Sequence, residues 1–159
     1  MLKVSKAIKT LIAKAELAAK ERRRAGLEHV LVTEALGRVL AADIVAEVDV
    51  PPAANSAMDG YAFCVADAEA NKFELPISQR IPAGTSPQPL EAGTAARIFT
   101  GGEIPLGADT VAMQENCKVA KDAVKLDGAV SAGANVRAKG QDIQEGQIIL
   151  TAGTRLRAQ

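Results

Sequence analysis

Three polar side chains, those of Asn55, Ser56 and Asp59, lie close together in the chain, just before Gly60. A carboxylate can bind a divalent metal ion or orient a polar ligand, and neighbouring amide and hydroxyl groups can help to hold that ligand. Because proteins often place working side chains on turns between strands, this segment is a candidate site. A structural interpretation competes with it, since Asp-Gly is also a two-residue hairpin signal in which both residues take positive φ. The local sequence by itself favours the hairpin-turn interpretation, while the cluster of polar groups and the larger side chains of Met58 and Tyr61 favour a site.

A second polar turn follows, in which Thr100 precedes the glycine pair Gly101 and Gly102. Consecutive N–H groups in such a turn can form an anion-binding nest, to which a threonine hydroxyl adds a donor. The turn is neither a Walker loop nor a dinucleotide-binding fingerprint, because the lysine and the following helix are missing. The alternative is a turn that only ends a strand.

Further charged residues occur in later turns. Arg137 could bind a phosphate or pair with Asp142, and a structural ion pair is the favoured interpretation. Glu103 is interpreted as a solvated turn carboxylate. Whether the turns at positions 55–60 and 100–102 form one site is a question that the sequence alone does not answer.

The chain has one histidine, His29, so a mechanism that needs a histidine cluster is nearly excluded. We expect His29 to be partly buried between a helix and a strand. Two cysteines, Cys64 and Cys117, lack the spacing of a zinc site or a disulfide framework. This usage favours a cytoplasmic protein with reduced thiols. Cys64 is expected in the core and Cys117 nearer the surface.

The 159 residues are enough for a real hydrophobic core, and apolar residues make up 48% of the chain. Aromatic residues contribute only 3%, and the 19 basic residues balance the 19 acidic ones. A neutral chain with few stacking platforms argues against nucleic acid as a partner. No apolar run is long enough for a membrane span, so we expect no membrane partner.

Hydrophobic spacing predicts a helix over residues 5–24 and a short second helix over 34–41, capped by Thr33. Short apolar runs between Gly and Pro turns then predict strands. They cover residues 44–50, 61–65, 74–81, 95–99, 110–114, 117–120, 123–126 and 147–150. The predicted fold class is mainly β with N-terminal helices (α+β), and the strand spacing favours a barrel or a sandwich.

Several motifs together resemble one known family. The most distinctive is Asn55-Ser56-Ala57-Met58-Asp59-Gly60-Tyr61-Ala62. The others are residues 34–41, 50–52, 83–84, 97–101, 105–111 with Glu115, and 135–137 with Gly140, Asp142 and Gly146. In this order and at similar spacing, they are similar to the N-terminal half of molybdopterin molybdenumtransferase, the MoeA/gephyrin E-domain family of molybdenum cofactor biosynthesis.

The resemblance implies a β-barrel-like domain, residues 45–140, inserted into an elongated domain of helix and strands. That elongated linker and dimerisation domain would comprise residues 29–44 and 141–159, preceded by an N-terminal helix over residues 1–28. It also implies a homodimer. The apolar stripe of the first helix would need a partner, which supports association.

The reaction implied is the insertion of molybdate into adenylylated molybdopterin, assisted by Mg²⁺, which neutralises phosphate charge and polarises the bond that breaks. Asp59 would be catalytic and would bind the metal, and Thr100 would be catalytic beside it. Ligand-binding roles would fall to Asn55, Ser56, Gly101, Gly102 and Arg137. Molybdopterin adenylyltransferase and downstream molybdoenzymes would be possible partners.

The chain departs from the family at Ala53 and Ala54, where the family usually has an aromatic and an acidic residue, and at Gly102, where alanine is more usual. Nothing in the sequence offers the family's α/β domain that binds the pterin and the nucleotide. We therefore expect the N-terminal portion of an enzyme, inactive alone. The alternative is a non-catalytic scaffold or partner-binding module.

Overall fold

The structure is a computed structural model that describes residues 4–24, 26–128 and 130–158. The chain divides into two compact units. One comprises Met1–Ile44 with Leu150–Gln159, and the other comprises Val45–Ile149. The predicted domain ranges include residues 1–3, 25, 129 and 159, which lie outside the described residues.

The first unit contains the predicted N-terminal helix, α1, at Val4–Arg24. Its apolar side chains are exposed, with Ile8, Leu11 and Ile12 showing 51%, 67% and 53% of their surface to solvent. The helix is therefore held by its own backbone hydrogen bonds rather than by burial of its apolar face. No helix in the described residues is both long and apolar enough to cross a membrane.

The second helix predicted over residues 34–41 is wrong. A single 3-10 turn occupies Val32–Glu34, and its preceding residue, Leu31, makes no side-chain cap. Gly37 then takes a φ of +78°, and Val39 bridges to Arg155 in an antiparallel contact. The segment therefore finds its hydrogen-bond partners at a distant part of the chain, so its helical spacing does not produce a helix.

The second unit is built on a six-stranded sheet. Its strands are β3 (Gly60–Phe63), β4 (Glu74–Ile81), β5 (Ala95–Ile98), β6 (Thr110–Met113), β7 (Cys117–Ala120) and β8 (Ala123–Leu126). Their order is β6-β3-β5-β4-β8-β7, and only the β4–β5 pair among them is parallel. The sheet curls into a partial barrel. The prediction of a mainly β fold with an N-terminal helix is confirmed.

Both faces of the central strands are buried. Residues pointing to one face form a core that includes Tyr61, Phe63 and Leu75. The intervening residues point to the other face, where Ala62, Ile98 and others form a second core. Because successive side chains of a strand alternate between faces, two covered faces explain why β3, β5 and β6 are mostly apolar, with Arg97 and Thr110 as the exceptions.

Four strands outside this sheet are short. They are β1 (Ile44–Val45), β2 (Asn55–Ser56), β9 (Val136–Arg137) and β10 (Ile148–Leu150). β1 pairs with β10, and β2 pairs with β9. The sequence did not predict β2 or β9, because two residues are too few to show a period.

A second helix, α2 (Val65–Ala70), begins at the last residue of the predicted strand 61–65. The strand ends at Phe63, and Cys64 links it to the helix. The Val65 amide donates to Asp109 Oδ1 at 3.1 Å, so a distant carboxylate supports the first turn of the helix. Local sequence gives no sign of that partner.

Candidate active site

Strand pairing brings three of the predicted site residues together. In the β2–β9 pair, Asn55 lies opposite Arg137 and Ser56 opposite Val136. The hairpin predicted at Asp59-Gly60 is wrong, because β2 pairs with β9 while β3 pairs with β5 and β6. Neither Asp59 nor Gly60 has a positive φ. The segment carrying Asp59 is therefore a connection between two sheets.

Gly60 is required here by close packing rather than by backbone conformation. A Cβ atom at this position would lie 1.9 Å from the carbonyl oxygen of Ala112 and 3.1 Å from Cγ1 of Val111. Only glycine allows β3 to approach β6 this closely. The contact fixes the position of the backbone that carries Asp59.

Asp59 and Thr100 form the centre of the candidate site. Oδ1 of Asp59 accepts two hydrogen bonds, from the Thr100 amide at 2.8 Å and from the Thr100 hydroxyl at 2.7 Å. These two bonds, with a smaller contribution from the charge of Arg97, hold the pKa of Asp59 below its ordinary value. The two predicted catalytic residues thus meet directly, and Asp59 is held as a carboxylate.

The glycine turn uses its amides within the chain. The Gly101 amide donates to the carbonyl oxygen of Ser56 at 2.8 Å, and the Gly102 amide donates to that of Phe99 at 2.8 Å. With the Thr100 amide bound to Asp59, all three consecutive N–H groups are occupied. The predicted anion-binding nest does not form through these amides: those of Thr100 and Gly101 hold the two turns together, and that of Gly102 closes its own turn.

Ser56 is also committed to local structure. Its side chain is fully buried. The hydroxyl donates to the carbonyl oxygen of Met58 and accepts from the Met58 amide at 3.2 Å. This arrangement shapes the turn before Asp59. Because the hydroxyl proton is already donated to Met58, it is not available to a ligand.

Arg97 is a site residue that the sequence analysis did not single out. Its guanidinium donates to the carbonyl oxygen of Gly60 at 2.8 Å and to Oε1 of Gln114 at 2.6 Å. It also lies over the rings of Phe99, 4.5 Å from the centroid, and Tyr61, at 5.3 Å. Arg97 therefore places a fixed positive charge beside the Asp59 turn. An arginine within an apolar strand was the signal that could have revealed it.

Arg137 pairs with Asn55 through the backbone, and its side chain is exposed. The predicted ion pair with Asp142 is wrong, since no such contact occurs between these two described residues. The ion pair at this corner joins Lys139 to Asp49, with Nζ and Oδ2 3.2 Å apart. The Glu145 amide also donates to Asp49 at 2.9 Å, and these two partners lower the pKa of Asp49.

The remaining predicted side chains lie elsewhere. His29 is exposed, so its predicted partial burial is wrong. Cys64 and Cys117 are both half-buried free thiols. Burial is the main cause that raises the pKa of Cys117 to about 11, and its thiol contacts the carbonyl oxygen of Met113 at 3.2 Å. Cys117 therefore lacks the environment of a reactive nucleophile in this structure.

A cleft of about 300 Å³ adjoins the two turns. Asn55, Gly101 and Glu103 form part of its wall, and the other lining residues are Pro52, Ala53, Gly84, Thr85 and Ser86. Its volume is at the lower end of the range for small-molecule sites. Oδ1 of Asn55 is buried and receives no hydrogen bond from the described residues. An acceptor left in this state costs about 1–3 kcal/mol.

The donor set fits Mg²⁺ only in part. Within the described residues, no group of three His, Cys, Asp or Glu side chains could hold a metal ion. Asp59 could supply one oxygen, because Oδ2 is not among the atoms that bind Thr100. Magnesium commonly uses one or two carboxylates together with substrate phosphates and water. Asp59 therefore fits a single ligand position.

A mainly β unit that holds a carboxylate-bearing turn beside a small cleft defines a candidate small-molecule-binding module. Comparison with known proteins makes the assignment specific: the chain belongs to the MoeA family. It matches the MoeA N-terminal region (domain I and II) over residues 2–159.

Named relatives support this assignment. A molybdopterin molybdenumtransferase of a Nostoc species is 41% identical, over 77% of this chain and 29% of the relative. The molybdopterin molybdenumtransferase of Synechococcus elongatus is 35% identical, over 82% of this chain and 34% of the relative. The chain therefore spans about a third of the length of these relatives.

A solved structure supports the fold. The crystal structure of a molybdopterin biosynthesis MoeA protein from Pyrococcus horikoshii OT3 aligns with a TM-score of 0.75 and 38% identity. The alignment covers 82% of this chain and 36% of that protein. The resemblance inferred from the sequence motifs is confirmed, and the homologues are proteins of molybdenum cofactor biosynthesis.

Proposed function

We propose that this chain supplies one part of the active site of a molybdopterin molybdenumtransferase, which inserts molybdate into adenylylated molybdopterin. The observation that carries the proposal is the Asp59–Thr100 pair, with Oδ1 of Asp59 held by two hydrogen bonds. The homologues' names supply the reaction class. Asp59 is the proposed catalytic residue, and Thr100 keeps it ionised and oriented.

A fixed carboxylate suits this chemistry in two ways. Its free oxygen can bind Mg²⁺, which neutralises phosphate charge when bound. Alternatively, it can orient a water molecule toward the adenylate. In both cases Arg97 limits the movement of the turn, because it holds the carbonyl oxygen of Gly60. Arg137 has an exposed side chain that is free to approach an anionic group on the substrate.

The 159-residue chain is proposed to be inactive by itself. Its described residues bring together one fixed carboxylate beside a small cleft, whereas the proposed substrate carries a pterin, a pyrophosphate linkage and a nucleoside. The chain is further proposed to work in the cytoplasm and as a homodimer, with its β unit inserted into the first unit. Exposed apolar side chains on α1 support association. Molybdopterin adenylyltransferase and molybdoenzymes remain proposed partners.

Complementation tests the catalytic proposal. This chain is fused to the remaining part of a related molybdenumtransferase, the fusion is introduced into bacteria that lack their own enzyme, and a molybdenum-dependent enzyme activity is measured. We expect the fusion to restore activity and Asp59→Ala in it to reduce that activity by about tenfold or more. Glu74→Gln, which changes an exposed carboxylate on β4, is the matched control. Full activity of the Asp59→Ala fusion would leave this residue with a structural role only.

A non-catalytic binding module is the second candidate function. The exposed apolar face of α1, where Leu11 is 67% exposed, is the observation that favours it. Restoration of the activity by the 159-residue chain alone would refute both this candidate and the proposed inactivity.

Light scattering at micromolar concentration tests association, and a clean monomer would count against the homodimer.

A further inference from the structure

Arg97 joins the ends of the two strands that lead to Asp59 and Thr100. Gly60 lies opposite Ile98 in the β3–β5 pair. One terminal nitrogen of the Arg97 guanidinium, Nη1, donates to both carbonyl oxygens of this pair, at 2.8 Å to Gly60 and at 3.1 Å to Ile98. Gly60 follows Asp59 directly, and Ile98 precedes Thr100 by two residues. A single side chain therefore ties together the backbone segments that carry the two members of the candidate catalytic pair.

Gln114 completes this arrangement with both its main chain and its side chain. Its amide donates to the carbonyl oxygen of Asp59 at 3.0 Å. Its Oε1 accepts from Nη2 of Arg97 at 2.6 Å, and its Nε2 donates to Oε1 of Glu115 at 3.3 Å. Because a guanidinium can only donate, the carboxamide has to present its oxygen to Arg97. The carbonyl oxygens of Asp59 and Gly60 are thus held by one connected pair of side chains and the Gln114 amide.

Aromatic rings also restrict the guanidinium of Arg97, which is half-buried. Its central carbon lies 4.5 Å from the centroid of the Phe99 ring and 5.3 Å from that of the Tyr61 ring. Arg80 on β4 contacts the same Phe99 ring at 4.8 Å, but its guanidinium makes no hydrogen bond within the described residues. A planar fork with three acceptors and two ring contacts has one favoured orientation, and a lysine ammonium has no such fork with which to keep these contacts together.

We propose that Arg97 and Gln114 are positioning residues, which together hold the Asp59 carboxylate in the orientation that the reaction needs. The part of this inference that concerns catalysis rests on the proposed function. Oδ1 of Asp59 receives both of its hydrogen bonds from one residue, Thr100, so the relative placement of the two strand ends decides whether these bonds form. A displacement of about 1 Å in such a group can lower a rate by about a hundredfold. Gln114 acts through Arg97 and through the Asp59 carbonyl oxygen.

Hydrogen exchange of the Thr100 amide in the 159-residue chain, measured by NMR, tests the placement directly. Gln114→Met keeps a side chain of similar length, removes the acceptor for Arg97 and leaves every charge in place. We expect the Thr100 amide to exchange at least about tenfold faster in this variant, because its hydrogen bond to Asp59 opens more often. Gln114→Glu supplies a carboxylate acceptor to Arg97, and its Thr100 amide should exchange within about twofold of the rate in the unchanged chain.

Two controls separate positioning from general stability. The Leu126 amide, which donates to the carbonyl oxygen of Phe73 at 2.9 Å, should keep its exchange rate in Gln114→Met. Gln88→Met is the matched variant, because Gln88 is exposed and uses only its backbone in the described hydrogen bonds. It should leave the Thr100 amide unchanged. Equally faster exchange of the Thr100 and Leu126 amides in Gln114→Met would overturn the inference, because Gln114 would then only stabilise the sheet.

The purified fusion enzyme tests the consequence for catalysis. In Arg97→Lys and in Gln114→Met we expect kcat to fall by at least about tenfold, with KM for adenylylated molybdopterin within about twofold of the unchanged value. Gln114→Glu should retain kcat. Arg80→Lys, which changes the other guanidinium over the Phe99 ring, is the matched control and should leave both constants unchanged.

Full kcat in Arg97→Lys would overturn the inference, since a positive charge alone would then be sufficient. A rise in KM with an unchanged kcat would also overturn it, because these residues would then contribute to binding rather than to positioning. Unchanged exchange of the Thr100 amide in Gln114→Met would refute the placement and leave the proposed function intact. Full activity of Asp59→Ala in the fusion would refute the proposed function together with the catalytic part of this inference, whereas the exchange result would still decide the placement.

Discussion

Replacement of Gly60 by alanine should destabilise the β unit by far more than an ordinary glycine substitution. The added Cβ would lie 1.9 Å from the Ala112 carbonyl oxygen and 2.9 Å from its carbon. Carbon and oxygen atoms normally approach to about 3.3 Å. β3 and β6 would have to separate by roughly 1.4 Å, which lengthens nearby hydrogen bonds of about 2.9 Å beyond hydrogen-bonding distance.

The magnitude follows from the groups left unpaired. About two backbone hydrogen bonds would be lost, and each leaves a buried polar group that costs about 1–3 kcal/mol. Alanine offsets about 0.4–1 kcal/mol of this loss, because it reduces the conformational entropy of the unfolded chain. The expected loss in the free energy of unfolding is therefore about 1–6 kcal/mol, a large share of the about 5–15 kcal/mol typical of a folded protein.

Urea denaturation followed by circular dichroism measures this loss, provided that the slope of the transition is unchanged. Gly146→Ala is the comparison, because Gly146 has a φ of +83° but open space around it. It should cost only about 1 kcal/mol, from backbone strain alone. A double variant with Ala112→Gly should not recover stability, since the clash is with the backbone oxygen. If Gly60→Ala loses no more than Gly146→Ala, the close-packing argument is refuted.

Two further predictions concern titrating groups. Thr100→Val removes the hydroxyl that donates to Asp59. The pKa of Asp59, measured by NMR, should therefore rise toward its ordinary value. An unchanged pKa would contradict the role given to this hydrogen bond. The folded-state pKa of Asp59 lies below the unfolded value of about 3.9. Ionisation of Asp59 therefore stabilises the fold at a pH above the unfolded value. This contribution is lost as the pH falls through the folded-state pKa. Cys117, with a pKa of about 11, should react with a disulfide reagent at pH 8 about a hundredfold more slowly than an ordinary thiol. The reaction is measured in a Cys64→Ser variant with glutathione as the reference, and an equal rate would show that the thiol is not protected.

Three strands were predicted closely from the sequence, two of which are partners next to each other in the chain. The predicted ranges 74–81, 117–120 and 123–126 coincide with β4, β7 and β8. β7 and β8 pair directly across a two-residue turn, with Ala120 opposite Ala123. Their apolar runs and turn residues lie next to each other in the chain, so the signal is local.

Elements that depend on distant partners were missed. The helical spacing of residues 34–41 was overridden by the bridge from Val39 to Arg155. β2 exists because it pairs with β9, about eighty residues further along the chain. The Asp59-Gly60 dipeptide predicted a hairpin, but its glycine serves the close approach to Ala112. Local propensity is weak compared with tertiary packing, which decides such cases.

The sequence by itself determined the family, the mainly β composition and the two turns that carry Asp59 and Thr100, because motifs and apolar runs are local properties. Only the tertiary structure brought these turns into contact, gave the Thr100 donors to Asp59, and used the Gly101 and Gly102 amides within the fold. It also placed Glu103 beside Asn55 in the cleft. Hydrogen-bond partners and desolvation depend on residues far apart in the chain, so no local pattern records them.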